Sequence, residues 1–349
     1  MDSGKVLDVE VMSRVCRGCS LNQNLAKKDP TAYVQWKNSH ICKMNYIGSA
    51  SGMECEGANR IFQRSIEKHK LKYIKILGDG DSKSYNSVKD VYPGTQVAKL
   101  ECVGHYQKRV GTRLRKLKKK VKGLGGRGRL TDSTIDRLQN FFGLAIRQNT
   151  GDLVAMKSSA LATLFHVASS KVNNWHYPHC PTGASSWCKF NSDKVNSTNT
   201  YKPGPGLPLD IVYKIKPVFE DLTKEDELRK CLHGKTQNAN ESFNGKIWNR
   251  IPKTKFVSLT VLKFGVYDAV GNFNIGMKSS ILIYEKLNMI PGYFTINGSN
   301  AINKVHIKWS IYQGRSHNKL RRQKLRAKKL KKNDKTIEKE GKTYETGGF

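Results

Sequence analysis

The sequence predicts an α/β fold whose core is interrupted by a long, mostly helical segment. Three observations indicate this architecture. Short strand-like segments are concentrated before residue 102, apolar residues repeat with helical spacing between about 105 and 168, and helical spacing returns after residue 240. With 349 residues, the chain is long enough for one large domain or two of ordinary size.

The predicted elements follow one another along the chain with clear turn signals between them. The strand-like segments are 6–12, 72–77 and 97–102. The helical segments are 59–70, 105–122, 131–147, 152–168, 209–222, 240–250 and 258–277. Residues 175–208 are rich in Pro, Gly, Asn, Ser, Cys and His, which is typical of a loop.

This order of elements predicts four regions. They are a first core part at 1–106, a basic helical insertion with a Cys/His loop at 107–235, a second core part at 236–312 that carries the last acid, and a basic tail at 313–349. The tail contains ten basic residues and no acid between 315 and 332, so we expect it to be disordered unless nucleic acid orders it.

The charge of the chain points to a polyanionic partner. The formal net charge is +34, from 62 basic and 28 acidic residues. Such an excess destabilises the compact state by self-repulsion unless a polyanion neutralises it, and nucleic acid is the obvious one. We expect no membrane partner, because the longest apolar stretch, 256–277, contains Lys263 and Asp268 and is too polar to span a bilayer.

One basic stretch predicts contact with the DNA backbone. Between Lys108 and Arg129 there are eleven basic residues and no acid. A charge run is often only a solvated face, but few solvated faces lack counter-charges, so we predict phosphate contacts there. The predicted DNA-binding residues are Lys108, Arg109, Arg113, Arg115, Lys116, Lys119, Lys120, Arg127 and Arg129. The basic tail favours nuclear import or DNA clamping, and we expect a nuclear protein.

Cysteine and histidine residues form two groups that can hold zinc. The first residues lack signal-peptide character, so we expect a reducing compartment, where metal ligands or free thiols are favoured over disulfides. The first group is Cys16, Cys19, His40 and Cys42, and the second is His176, His179, Cys180 and Cys188. Cys231 or His233 can replace a member of the second group, and free thiols remain the alternative for both.

Acidic residues in two segments of the chain are candidate ligands for Mg²⁺. Asp79 follows a predicted strand and precedes a glycine, with Asp81 two residues further on, and Glu241 lies near the start of a predicted helix. Carboxylates in such positions can hold the paired Mg²⁺ ions of phosphoryl-transfer enzymes. The alternatives are an ordinary Gly-Asp-Gly turn and an acid favoured in the first turn of a helix.

Three ordered motifs resemble Mutator-like transposases. They are GDGDSKSYNSVKDVYPG, KLECVGHYQKRVG and KTQNANESFNGKIW. The resemblance implies an RNase H-like core in which Asp79, with Asp81 as a less favoured register, and Glu241 bind Mg²⁺ or Mn²⁺, and in which Cys102 and His105 lie near the active site. It also implies cleavage of DNA at transposon ends followed by strand transfer, with homo-oligomers assembled on those ends.

The family pattern also requires a first aspartate in a Val-Asp-Gly-Thr-Trp-like strand. Before Asp79 the sequence offers Asp2, Asp8 and Asp29, and none has that context. We expect Asp8 to be a solvent-facing strand residue, and we expect that this polypeptide alone does not cleave DNA. The alternatives to a transposase-derived enzyme are a non-catalytic nuclear DNA-binding protein and, less favoured, an RNA-binding protein that uses the same basic stretches.

Overall fold

In the computed structural model, residues 4–78, 80, 82–325 and 328 are described. This part of the chain is mostly helical and forms two compact units. One unit is Asp8–Leu262, and the other joins the described residues of Met1–Leu7 to those of Lys263–Phe349. No helix among the described residues combines the length and apolar character needed to cross a bilayer.

The helices are numbered in chain order. The first six are α1 (Arg17–Leu21), α2 (Gln23–Lys28), α3 (Pro30–Ser39), α4 (Ala50–Gln63), α5 (Ser65–His69) and α6 (Lys83–Val88). The next seven are α7 (Val103–Lys120), α8 (Asp132–Gln148), α9 (Leu153–Ala168), α10 (His176–His179), α11 (Lys189–Asn196), α12 (Leu209–Leu222) and α13 (Glu225–Arg229). The last four are α14 (Asn238–Arg250), α15 (Leu259–Ile275), α16 (Lys278–Lys286) and α17 (Tyr293–Gly314).

The described residues contain one small parallel sheet. Strand β1 (Lys75–Gly78) pairs with β2 (Ala98–Glu101), so that Lys75 is opposite Ala98 and Gly78 is opposite Glu101. Helix α6 lies in the crossover that parallel pairing requires. Two of the three predicted strands are therefore present. The described part shows mostly helix with a two-stranded sheet, and the RNase H-like core stays a prediction.

The prediction of a strand at 6–12 is wrong, because this segment is not hydrogen-bonded to a neighbouring strand among the described residues. Asparagine side chains bond its backbone instead. The amide of Asn274 accepts from Val6 N and donates to Val6 O, both at 2.8 Å. The amide of Asn45 accepts from Ser13 N at 2.7 Å and donates to Val11 O at 2.8 Å. A side-chain amide presents the same donor and acceptor as a backbone peptide, so these extended residues satisfy polar groups without a neighbouring strand.

The predicted insertion folds around its own apolar core. Helices α7, α8, α9 and α12 pack together, and their limits agree with the predicted helices to within two residues. Helix α8 buries Ile135, Leu138, Phe142 and Ile146, which are spaced to face one side of a helix. Phe142 lies between Tyr106 and Phe219, with ring centroids 6.2 and 6.0 Å away.

A second, smaller core lies beside the sheet. Its buried members are Phe62, Val88, Tyr92 and Val97. The hydroxyl group of Tyr92 lies 2.6 Å from Ser65 Oγ, donates to Phe62 O at 3.2 Å, and accepts from the N–H group of Tyr73 at 3.0 Å. This buried hydroxyl therefore links the end of α4 to the residues that lead into β1.

The predicted basic tail is described only in part. Residues 316–325 are helical, although the sequence predicted disorder from residue 313. Lysine, arginine and leucine all have good helix propensity, and the side-chain amide of Asn318 donates to Tyr312 O at 2.6 Å across the break at Arg315. Apart from residue 328, the tail beyond 325 lies outside the described residues.

Candidate functional site

The carboxyl ends of β1 and β2 form an edge onto which α14 is fixed. Cys102 N donates to Gly78 O at 2.8 Å, and Cys102 is the residue directly before α7. Gln237, directly before α14, donates from its side-chain amide to Leu77 O at 3.0 Å and from its backbone N–H to Cys102 Sγ at 3.3 Å. These bonds bring the start of α14 to the end of a strand about 160 residues earlier.

His105 and Glu241 meet at this edge. They lie in the first turns of α7 and α14, and His105 Nε2 is 3.6 Å from Glu241 Oε1. The Glu241 side chain is 63% exposed and that of His105 is 28% exposed, so both are accessible to a ligand. The structure thus brings together three residues predicted for one site, Cys102, His105 and Glu241. Asp79 and Asp81 lie outside the described residues.

A buried ion pair at the same edge was not predicted from the sequence. Glu101, the last residue of β2, has a side chain that is only 4% exposed. Arg109 Nη2 donates to Glu101 Oε2 at 2.6 Å, and the guanidinium group lies 4.9 Å from the centre of the Tyr106 ring. Arg109 also lies 3.8 Å from Glu227. Arg109 was predicted to contact DNA, but here its charge is neutralised within the protein.

Arg109 also lies close to the glycine at residue 80. Gly80 has φ +104°, and a Cβ atom there would lie 2.4 Å from Arg109 Nη2. Lys99 Nζ donates to Gly80 O at 3.4 Å. The pair of Glu101 and Arg109 therefore packs against the glycine that separates Asp79 from Asp81 in the sequence.

We expect Gly80→Ala to lower the free energy of unfolding by about 2 kcal/mol, because it combines a strained φ with a clash against a held guanidinium group. Urea denaturation measures this change. Gly126→Ala is a matched control, since Gly126 has φ +121° and no atom within 4 Å of the added Cβ. If both variants lose the same stability, the Arg109 contact has no effect of its own.

Helix α7 presents a basic face to solvent. Its buried residues include Val103, Tyr106, Val110 and Leu114. At about 100° per residue, the opposite side of the helix carries Lys108, Lys116 and Lys119, all exposed. These three lysines, here called the α7 lysine face, have no acidic partner among the described residues. The same holds for the neighbouring exposed Lys120 and Arg127.

The other predicted DNA-binding arginines have acidic partners on other helices. Arg113 pairs with Asp221, and Arg115 pairs with Asp136. Arg129 Nη2 lies 2.7 Å from Asp210 Oδ2. Together with Arg109, four of the nine predicted residues are therefore engaged in ion pairs. These pairs were not predicted from the sequence, because each acidic partner lies on another helix or strand.

The first Cys/His group comes together as predicted. Cys16, Cys19, His40 and Cys42 place their ligand atoms within 4.8 Å of one another. His40 Nε2 lies 3.2 Å from Cys16 Sγ and 3.5 Å from Cys19 Sγ, and the thiol sulfurs of Cys19 and Cys42 are 3.6 Å apart. The His40 ring occupies the space where a Cβ on Gly18 would lie. This set of soft ligands can hold a metal ion such as zinc.

Local hydrogen bonds favour the metal-binding form of one of these thiols. Backbone N–H groups of Cys19 and Lys43, with help from the His40 side chain, hold the pKa of Cys16 below its usual range. A thiolate, not a thiol, is the metal ligand, so this shift favours binding at Cys16, whereas burial and the neighbouring thiols raise the pKa of Cys19 to about 11.

The second group assembles with one change of residue. His166, in the last turn of α9, joins His176, Cys180 and Cys188, and their ligand atoms also lie within 4.8 Å of one another. His179, predicted as a ligand, instead stacks on Phe165 with ring centroids 3.7 Å apart. This second set can also hold a metal such as zinc.

The two residues considered as replacements have other roles. Burial in the helical core raises the pKa of the Cys231 thiol to about 12. His233 Nε2 donates to Glu101 O and Lys230 O at 3.1 and 3.0 Å, while its Nδ1 accepts from Lys235 N at 2.8 Å. Burial lowers the pKa of His233, which agrees with a neutral ring held by these bonds.

Comparison with known proteins identifies the family. Residues 1–188, more than half of the chain, match the family described as Mutator-like transposase. The matched range contains β1, β2, α7 and both Cys/His groups. Searches of curated proteins and of solved structures gave no match. The chain therefore belongs to the Mutator-like transposase family.

Proposed function

We propose that this transposase-derived protein binds the phosphate backbone of duplex DNA through the α7 lysine face. The observation that carries the proposal is the absence of acidic partners for Lys108, Lys116 and Lys119 among the described residues, while the arginines beside them are paired. Unpaired, exposed ammonium groups are free to replace the counterions of a nucleic acid.

The spacing of these lysines suits a continuous phosphate backbone. From Lys108 to Lys119 the helix advances about 16 Å, and the three side chains lie within one quarter of its circumference. Contacts of this kind fix the position of the protein on the duplex and carry no sequence information. The excess of 34 positive charges adds attraction at longer range.

Membership of a transposase family favours DNA over RNA as the partner. A competition experiment tests this choice. A labelled DNA duplex bound to the protein is titrated with unlabelled DNA or RNA duplexes of the same length and sequence at one salt concentration. We expect DNA to compete at least as well as RNA. If RNA displaces the probe at a much lower concentration, the protein is an RNA-binding protein. A DNA partner also implies a nuclear location.

A second candidate function is metal-dependent DNA cleavage at the edge of the sheet. It is favoured by the contact of His105 with Glu241, which the bonds of Gln237 hold at the end of β1. The exposed carboxylate of Glu241 suits Mg²⁺ or Mn²⁺, which take oxygen ligands. Together with Asp79, it would belong to the metal site that the family resemblance implies.

Among the described residues, no group of three or more potential metal ligands includes a carboxylate. Glu101 is neutralised by Arg109. Asp8 and Glu10 are both bound by Arg64. A two-metal centre needs several free carboxylates, so the described residues by themselves do not fit one.

A nicking assay on supercoiled DNA with Mg²⁺ or Mn²⁺ tests the second candidate. If Glu241 holds a catalytic metal ion, we expect wild-type protein to nick the DNA and the Glu241→Gln variant to nick it much more slowly. Equal background rates for the two proteins would exclude a nuclease at this edge.

A further inference from the structure

We propose that His166, His176, Cys180 and Cys188 form a structural Zn²⁺ site that fastens the loop at 175–208 to helix α9. The proposed DNA contact of α7 does not depend on it. Three parts of the chain meet at the site: the last turn of α9, the short helix α10 with the residue after it, and the residue before α11.

The distances between ligand atoms match tetrahedral zinc. Cys180 Sγ lies 3.7 Å from His166 Nδ1 and 3.6 Å from His176 Nδ1. Cys188 Sγ lies 3.4 Å from His176 Nδ1. With Zn–S bonds of about 2.3 Å and Zn–N bonds of about 2.05 Å, tetrahedral geometry puts sulfur and nitrogen ligands about 3.6 Å apart.

Hydrogen bonds alone do not account for this arrangement. His176 Nδ1 lies at similar distances from two thiol sulfurs, yet a ring nitrogen offers either one proton or one lone pair. A central cation that attracts both sulfurs and the nitrogen explains why all of them converge on one point.

The surrounding residues hold His176 in the orientation of a ligand. Its Nε2 lies 2.8 Å from the hydroxyl group of Tyr201, which leaves Nδ1 directed at the two thiols. Bonds of this kind to the outer nitrogen fix the tautomer and orientation of metal-bound histidines. The side-chain amide of Asn191 donates to Cys180 O at 3.1 Å and so fixes the backbone of a second ligand.

The environment is that of a structural rather than a catalytic zinc. His176, Cys180 and Cys188 are buried, with at most 3% of each residue exposed. Four protein ligands, three of them buried, fill a tetrahedral metal ion and leave no position for water or substrate. The loop has few aliphatic residues of its own. Phe190 stacks on His176, and the Trp187 ring meets the His166 ring edge to face. Zinc would therefore replace a hydrophobic core for this segment.

Zinc analysis of the purified full-length chain, combined with two histidine variants, tests the site. We expect His166→Gln to contain one zinc per chain less than wild-type protein. His179→Gln is the matched control, because His179 lies in the same loop but outside the cluster, and it should keep the wild-type zinc content. Zinc bound by the first Cys/His group contributes equally to both variants. Full zinc content in His166→Gln, or an equal loss in His179→Gln, would overturn the proposal.

Thiol mapping of wild-type protein gives a test that does not depend on the folding of a variant. Alkylation followed by mass spectrometry is carried out with and without a zinc chelator. We expect Cys180 and Cys188 to become reactive only when the chelator is present, while the core residue Cys231 stays protected in both cases. If the chelator leaves the reactivity of Cys180 and Cys188 unchanged, zinc does not hold this loop.

Discussion

Replacing Lys108, Lys116 and Lys119 together with glutamine is expected to weaken binding to duplex DNA on the order of 100-fold at about 0.1 M salt. Each lost phosphate contact removes about 0.9 from the slope of log K against log salt, so the slope should fall by about 2.7. Fluorescence anisotropy of a labelled duplex over a series of salt concentrations measures both quantities.

The matched control removes the same charge from two lysines of α12 and from the residue directly before α13. Lys214, Lys216 and Lys224 lie 3.8, 2.9 and 2.5 Å from Asp210, Glu220 and Asp221. Because these lysines are already paired, their replacement with glutamine should change affinity by only a few fold. Equal losses in the two triple variants would mean that DNA responds to net charge alone and that the α7 lysine face has no special role.

The second large effect is expected from Asp8→Asn. The Asp8 side chain is 2% exposed, and Arg64 donates to both of its oxygens, at 2.8 and 3.0 Å. Lys68 Nζ lies 2.9 Å away. The prediction that Asp8 faces solvent was therefore wrong. Loss of one partner from a buried ion pair leaves the other uncompensated, so we expect the free energy of unfolding to fall by about 3 kcal/mol in urea denaturation.

Asp90→Asn serves as the control for this variant. The Asp90 side chain is 65% exposed and faces one lysine at 3.6 Å. Exposed ion pairs contribute less than about 1 kcal/mol to stability, so the free energy of unfolding of Asp90→Asn should be close to that of wild-type protein. A loss in Asp8→Asn no larger than in Asp90→Asn would show that the cluster around Arg64 does not stabilise the fold.

The contribution of Asp8 should also depend on pH in a defined direction. Burial opposes ionisation, but hydrogen bonds from Arg64 and Lys68 outweigh it and hold the pKa of Asp8 well below its usual range. Because the pKa of Asp8 is lower in the folded state, this carboxylate stabilises the fold at any pH above its unfolded pKa of about 3.9. This stabilisation is lost as the pH falls below that value. The difference between wild type and Asp8→Asn should be constant from about pH 5 to 8 and should shrink below about pH 4.

Helices were predicted well where one face of the segment is apolar. The predicted helix at 209–222 has the limits of α12, because Ile211, Ile215 and Phe219 repeat on one buried side. The same reasoning failed at 6–12, since an alternating pattern indicates extended backbone without saying what bonds it. There the partners are the side chains of Asn45 and Asn274, which no local pattern reveals.

A candidate site was easier to predict when its residues lie close together in the sequence. Cys16 and Cys19 are separated by only two residues, and that spacing identified their group. His166 was missed because it belongs to an otherwise apolar helix, whereas His179 lies next to Cys180 in sequence and was preferred for that reason. The sequence pattern does not distinguish Arg113, which is paired, from Lys116, which is not. The difference depends on Asp221, the partner of Arg113, which lies on α12.

Lysine footprinting tests the central claim, that α7 binds DNA, most directly. Wild-type protein is acetylated briefly with and without saturating duplex DNA, and the modified lysines are quantified by mass spectrometry. We predict strong protection of Lys108, Lys116 and Lys119 by DNA, with little change at Lys214 and Lys216. Protection confined to other lysines, with the α7 lysine face still fully reactive in the complex, would contradict the account.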